Sequence, residues 1–179
     1  MKKNSSINLF RALFSLGAFL AGSGVALAQY ETADHEVTAL KHSDRSFLEK
    51  AVKSGLDEVA ISQVVAERSS NPRIREFAQM IVGEHTSTNN TLTQLAATKK
   101  VALPPAEQAP SKWSKSGDKD FDEDYVEKMI SEHESAVKLF TKEANDGKDQ
   151  ELVVFARSTL PTLQHHLEQA KDLKKMLKS

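Results

Sequence analysis

"VALPPAEQAPSKWSKSGDK", Val101 to Lys119, decides how the helical segments of this chain are joined. Pro104, Pro105 and Pro110 interrupt it and no apolar period runs through it, so it is read as a loop. Connections in compact domains have a median of about 4–6 residues, so a 19-residue one needs a distance to cover. At up to about 3.3 Å per residue it spans the whole length of a helical bundle. The expectation is therefore a crossover along the molecule.

On either side stand two apolar stripes of helical period. Before the loop, Asp44 offers an N-cap, and Phe47, Leu48, Ala51, Val52, Val59, Val65 and Ala66 mark a helix to about Ser69. Asn71 and Pro72 then start a second stripe, Ile74, Phe77, Ala78, Ile81, Val82, His85, Thr88, Leu92 and Leu95, which fades near Lys100. After the loop, Phe121, Tyr125, Met129, His133, Ala136 or Val137, Phe140 and Ala144 form the third, closed by Asn145-Asp146-Gly147. The fourth is Leu152, Phe155, Ala156, Thr159, Leu163, His166, Ala170, Leu173 and Leu177, with Pro161 expected to bend or divide it. A shift of 78 positions lays Phe47 on Tyr125, Val59 on Val137, Ala66 on Ala144 and "FAQ" at Phe77 on "FAR" at Phe155. Duplication of a helical hairpin accounts for this, and so do two hairpins obeying one heptad rule.

The first 28 residues read as a secretory signal peptide: Lys2, Lys3 and Arg11, then the uncharged "ALFSLGAFLAGSGVALA", then Ala26-Leu27-Ala28 before Gln29. Residues 29–43 are polar and aperiodic and read as a flexible leader, leaving 44–179 as one bundle domain. Export to the periplasm or beyond is the implied destination. Without cysteine the chain has neither a lipid-bearing residue nor a disulfide framework, so packing alone must hold about 151 residues together. Losing the leader peptide takes the basic residues from 24 to 21 against 25 acidic ones, a net charge of about −4. That balance argues against nucleic acid as a partner. Lys171, Lys174, Lys175 and Lys178 complement the dipole of the last helix, and a membrane surface is not otherwise indicated.

The adjacent histidines at 165 and 166 are separated by helical phase. His166 continues the stripe from Leu163 to Ala170 and faces inward; His165 belongs on the rim. The same reading turns His85 and His133 inward, and Glu58, seven residues from both Ala51 and Val65, sits on or beside the inner stripe of the first helix. Each helix thus offers one ligand-type residue, at heights that agree within about 9 Å. Three imidazoles and a carboxylate suit one divalent transition ion such as Zn, Cu, Fe or Mn, held by Glu58, His85, His133 and His166. Equally, each histidine is accounted for as a buried polar group satisfied by a neighbouring Thr, Glu or backbone carbonyl. Glu84, Glu132 and Glu134 fall off the inward faces and read as solvated, as do His35 and His42 in the leader. Trp113 reads as the anchor of the loop.

"FLEKAVKSGLDEV" from Phe47, "REFAQMIVGEHTSTNNTLTQLA" from Arg75, "LPP" from Leu103, "FDEDYVEKMISEHESAVKLF" from Phe121 and "VVFARSTLPTLQHHLEQA" from Val153 together resemble the exported bacterial domain of unknown function 4142. That resemblance implies an all-α, ferritin-like four-helix bundle with a long crossover between the second and third helices. By it, Glu58, His85, His133 and His166 match recurring polar positions of the family, which carries no established activity. A ferritin-type di-iron centre requires Glu-x-x-His on two helices. Here Val82, Ile130 and Leu163 stand three residues before the inward histidines. No phosphate loop, nucleophile elbow or His-Glu-x-x-His occurs either. Two function classes remain: a non-enzymatic metal-binding bundle, and a stress-related structural or interaction module without metal.

Overall fold

Two of the helix starts are written in the residue that precedes them. Asn71 takes an extended backbone and accepts from the Arg73 amide at 3.0 Å, with Pro72 filling the first turn. Asp149 likewise accepts from Glu151 and Leu152, both at 3.1 Å. Such caps satisfy amides that have no carbonyl within the helix. The computed structural model describes residues 39–114 and 120–179, and in it the chain folds as α1 (His42–Arg68), α2 (Pro72–Thr98), a 3-10 turn (Ser111–Ser114), α3 (Phe121–Asp146) and α4 (Gln150–Leu177). The predicted signal peptide and most of the leader lie outside the described residues. Among the described residues no helix is long and apolar enough to cross a membrane.

Helix α1 starts earlier than expected, with Lys41 at the cap position and no side-chain cap. His42, assigned to the leader by sequence, is its first residue and is exposed. Asp44, expected as the N-cap, lies fully buried in the first turn. Its carboxylate accepts from Asp149 at 2.8 Å and from Lys148 at 3.2 Å, so it ties the α3–α4 turn to the start of α1. A long-range partner of this kind leaves no periodic trace.

The packing sets the direction of every helix. Phe47, early in α1, meets Phe140, late in α3, at 5.0 Å between ring centroids, whereas Ser62, late in α1, bonds Tyr125, early in α3, at 2.9 Å. Lys99 after α2 pairs with Asp149 and Glu151 at the start of α4, at 2.7 and 2.6 Å. Helices α2 and α3 are therefore parallel, and the chain between them must travel from one end of the bundle to the other. A 27-residue helix is about 40 Å long. Val101 and Leu103 pack with Phe47 and Leu92, while Ala109 and Trp113 pack with Ile61 and Tyr125, so the loop does run the length of the bundle. Trp113, 1 % exposed, stands edge-on to Phe121 and Tyr125 and holds the far end of the crossover.

Helix α4 is continuous through Pro161, so of the expected bend or division the division does not occur. Pro161 is exposed and the residues around it keep helical geometry, because the packed stripe on the opposite face, from Leu152 to Ala170, outweighs one lost backbone bond. Val59 is only half-buried, and Ile61 and Ser62 take the inward positions instead. The resulting core has two apolar clusters, one around Phe47, Leu92, Phe140 and Leu152, the other around Ile61, Ile74, Tyr125 and Met129. Between them lies a buried polar layer containing Glu58, His85, Asn89, His133 and His166.

Candidate metal centre

Each helix lends this layer a side chain from mid-length. Glu58 is 2 % exposed, His85 7 %, His133 0 % and His166 1 %, whereas His165 is exposed on the rim. One ring nitrogen from each of His85, His133 and His166 lies within 4.8 Å of the others. Both short contacts converge on one atom: His166 Nδ1 is 3.2 Å from His133 Nε2 and 3.4 Å from His85 Nε2.

The outer nitrogens have partners that dictate where protons sit. His133 Nδ1 is 2.9 Å from the Met129 carbonyl, which can only accept, so this nitrogen carries hydrogen. His166 Nε2 is 2.9 Å from a Glu84 carboxylate oxygen and carries hydrogen for the same reason. With neutral rings, His133 Nε2 and His166 Nδ1 then face each other as two lone pairs at 3.2 Å, an arrangement that wants a cation between them. Glu58 stands on the outer side: its Oε2 is 3.7 Å from His85 Nδ1 and 3.5 Å from His133 Nδ1, while its Oε1 accepts from Ser54 at 3.0 Å. The carboxylate thus approaches the nitrogens that point away from the convergence, and Oε2 is buried without a hydrogen bond.

Burial sets the charges. Withdrawal from water pushes the Glu58 carboxyl up to about 8, against which the Ser54 hydrogen bond works only in part. It pushes His85 down to about 3, helped by the other two imidazoles, and His133 down to about 4, opposed by the Met129 carbonyl. His166 is lowered too, with Glu84 opposing. At neutral pH the three rings are neutral, the state in which imidazole ligates a metal. Nitrogen donors alone at the convergence fit Zn or Cu better than Mn, which prefers carboxylate oxygen.

Three participants escaped sequence reasoning. Glu84, read as solvated, has a half-exposed side chain yet reaches across to His166. Its place at the α2–α4 seam depends on how the helices meet, which one sequence does not encode. Asn89 lies one turn beyond His85 and is 6 % exposed; the i, i+4 spacing was a usable signal. Gly55 gives it room, since a Cβ there would stand 2.4 Å from Asn89 Oδ1. Glu132 and Glu134 pair outward, with Lys128 at 2.7 Å and Lys171 at 3.1 Å, and Lys174 meets Glu127 at 2.8 Å. Two of the four lysines at the basic end of α4 are thus matched by acids of α3, and Lys175 pairs with Asp172 of α4 itself at 2.9 Å.

Fold and site define a four-helix bundle with a polar layer of three histidines and a carboxyl across its core. The chain belongs to the family described as Domain of unknown function (DUF4142), whose model matches residues 29–173. Among solved structures it is similar to CopM in the Cu(I)-bound form, with a TM-score of 0.66 and 15 % identity over 76 % of this chain and 98 % of that one. It is also similar to the crystal structure of a DUF305 fragment from Deinococcus radiodurans, with a TM-score of 0.63 and 13 % identity over the same shares. At these identities the likeness is one of fold. No curated protein matches.

Proposed function

We propose that this chain is an exported, non-enzymatic metal-binding bundle that holds one transition ion with His85, His133 and His166. The observation that carries the reading is the convergence of three buried imidazoles, with the outer nitrogens of His133 and His166 held by the Met129 carbonyl and by Glu84. Carbonyl and carboxylate partners behind ligating histidines fix the ring orientation and raise its basicity. Glu58, counted among four candidate ligands by sequence, stands in this reading beside the outer nitrogens of His85 and His133 without a hydrogen bond to either. Copper or zinc is the ion of choice for an all-imidazole set. The shared fold with a protein described in its Cu(I)-bound form supports copper first. Export rests on the Lys2-Lys3-Arg11 start and the Ala26-Leu27-Ala28 end of the first 28 residues. Mass spectrometry of protein from the periplasmic fraction should find a mature chain beginning at Gln29.

The metal reading is tested by thermal unfolding with Cu(I), Zn(II) and Mn(II) on the wild type, His85→Leu and His166→Leu. An ion at one hundred times its dissociation constant should stabilise the wild type by about 2.7 kcal/mol. Both variants should fold yet lose that gain. Equal responses in all three proteins would leave only the second reading, a bundle whose histidines serve packing. The bonds of His133 to Met129 and of His166 to Glu84, which satisfy one nitrogen of each ring without an ion, favour that reading.

A further inference from the structure

Against the histidine layer lies a partly open cavity of about 310 Å³, with His85, His166 and Glu58 among its lining residues. The rest of its wall is mainly apolar, including Ala51, Leu92, Ala136, Leu139, Phe140 and Leu163. Four of the five hydroxyls along it, all but that of Thr162, donate their single protons inside the protein. Ser54 donates to Glu58 at 3.0 Å, Thr88 to the Glu84 carbonyl at 2.9 Å, Ser135 to Ser131 at 3.0 Å and Thr159 to Phe155 at 2.8 Å. Asn89, which also lines the cavity, is different. More than nine-tenths of it is buried, and its Nδ2 is covered with no acceptor. A buried donor without a partner costs about 1–3 kcal/mol. Asn89 turns about a soft sp³–sp² torsion, so a modest rotation presents that donor to the cavity.

We propose that this cavity binds a compact, uncharged, mostly apolar small molecule whose single acceptor oxygen takes the hydrogen bond of the Asn89 amide. The volume sets the size: a 150 Å³ apolar cavity holds benzene, so about 310 Å³ holds a molecule of roughly ten heavy atoms. The polarity sets the class. A free neutral amide donor in an apolar wall rewards one carbonyl or ether oxygen, whereas a charged group would have to be desolvated with little in return. Lys50, the lysine among the lining residues, is exposed. The inference stands on the cavity and Asn89 and does not rest on the metal reading.

The test uses the full mature protein, stripped of metal by chelator, in an amide NMR titration with acetophenone and with α-methylstyrene, in which a methylene replaces the carbonyl oxygen. Both should saturate with shifts clustered at the cavity residues. Replacing Asn89→Leu should lower the affinity for acetophenone relative to α-methylstyrene by about 3- to 10-fold, the worth of one net hydrogen bond. Ala136→Leu should fill the space and abolish both, and Ala51→Leu makes the same test should that variant fail to fold. Absence of saturable binding, shifts scattered over the surface, an unchanged ratio in Asn89→Leu, or binding that survives cavity filling would each overturn the proposal. Because no ion is present, failure here leaves the metal reading intact, and loss of that reading leaves this result unchanged.

Discussion

His166 is the residue through which the histidine layer is assembled. Its Nδ1 receives the close approach of both other rings, and its Nε2 is held by Glu84. Glu84 lies on the solvent side, its side chain 48 % exposed, yet it accepts from the buried His166 Nε2–H, so removing it costs the metal-free fold at most about 1–3 kcal/mol. Losing the outer partner of a ligating histidine typically weakens metal binding about 10- to 100-fold. Glu84→Ala should therefore lower ion affinity by that factor in competition with a chromogenic chelator, while lowering metal-free stability by no more than about 3 kcal/mol. Unaltered affinity would show that Glu84 does not orient the ring. The inward direction of His166 and outward direction of His165 were legible in the sequence, because adjacent residues differ by 100° on a helix and only one continues the stripe. The reach of Glu84 was not legible, since a long side chain on the edge of a helix bonds whatever neighbour the packing provides.

Two of the helices carry local costs that the packing overrides. Helix α2 ends with Lys100 at φ 54°, its amide bonded to Ala97 at 3.2 Å and the next amide, of Val101, to Ala96 at 2.9 Å. This is a Schellman ending, in which glycine usually takes the left-handed position. Lysine there pays about 1 kcal/mol in crowding of its Cβ. Lys100→Gly should raise stability by roughly 0.5–1 kcal/mol in denaturant unfolding, and a loss would mean the lysine side chain contributes contacts that offset the strain. In α4 the missing amide of Pro161 leaves the helix one bond short at an exposed position. Since the helix is already continuous, Pro161→Ala should stabilise by about 1–3 kcal/mol, the penalty of an interior proline less the entropy returned to the unfolded chain. A drop in the melting temperature would show that proline shapes a bend on which the packing depends.

For the whole molecule, the polar layer and the buried Glu143 make stability depend on pH in opposing directions. Glu143, 4 % exposed, is pushed up to about 7 by burial and by the nearby Asp44 and Asp149. The folded state keeps protons on Glu58 and Glu143 that the unfolded chain loses above about 4.5, so stability falls as pH rises from there towards 7 and 8. It also refuses protons to His85, His133 and His166 that the unfolded chain takes up below about 6.5, so stability falls as pH drops towards 4 and 3. Between 4.5 and 6.5 the three histidines outweigh the two carboxyls, and the net slope is upward. The metal-free protein should therefore be most stable near pH 6.5. Melting temperatures measured with chelator from pH 4 to 9 check this, and a flat profile or a maximum above pH 8 would contradict it.

Helix identity, the inward stripes and the need for a crossover were determined by the sequence alone, because each rests on local rules: periodicity, caps, and a loop too long and too proline-rich to be a turn. The joining of one residue from each helix into a single layer at one height was legible to within about two turns for the same reason. Only the tertiary structure decided which atoms meet. Asp44 could have capped its own helix, and across the bundle it serves the α3–α4 turn instead. Pro161 was expected to bend or divide α4, and a packed opposite face kept the helix undivided. Glu58 was placed with the histidines by its phase, yet the side of the rings it reaches depends on rotamers and helix separation, which set its oxygen 3.5–3.7 Å from their outer nitrogens. Phase along a helix is a property of the chain, whereas distances across a core belong to the packing of all four helices at once.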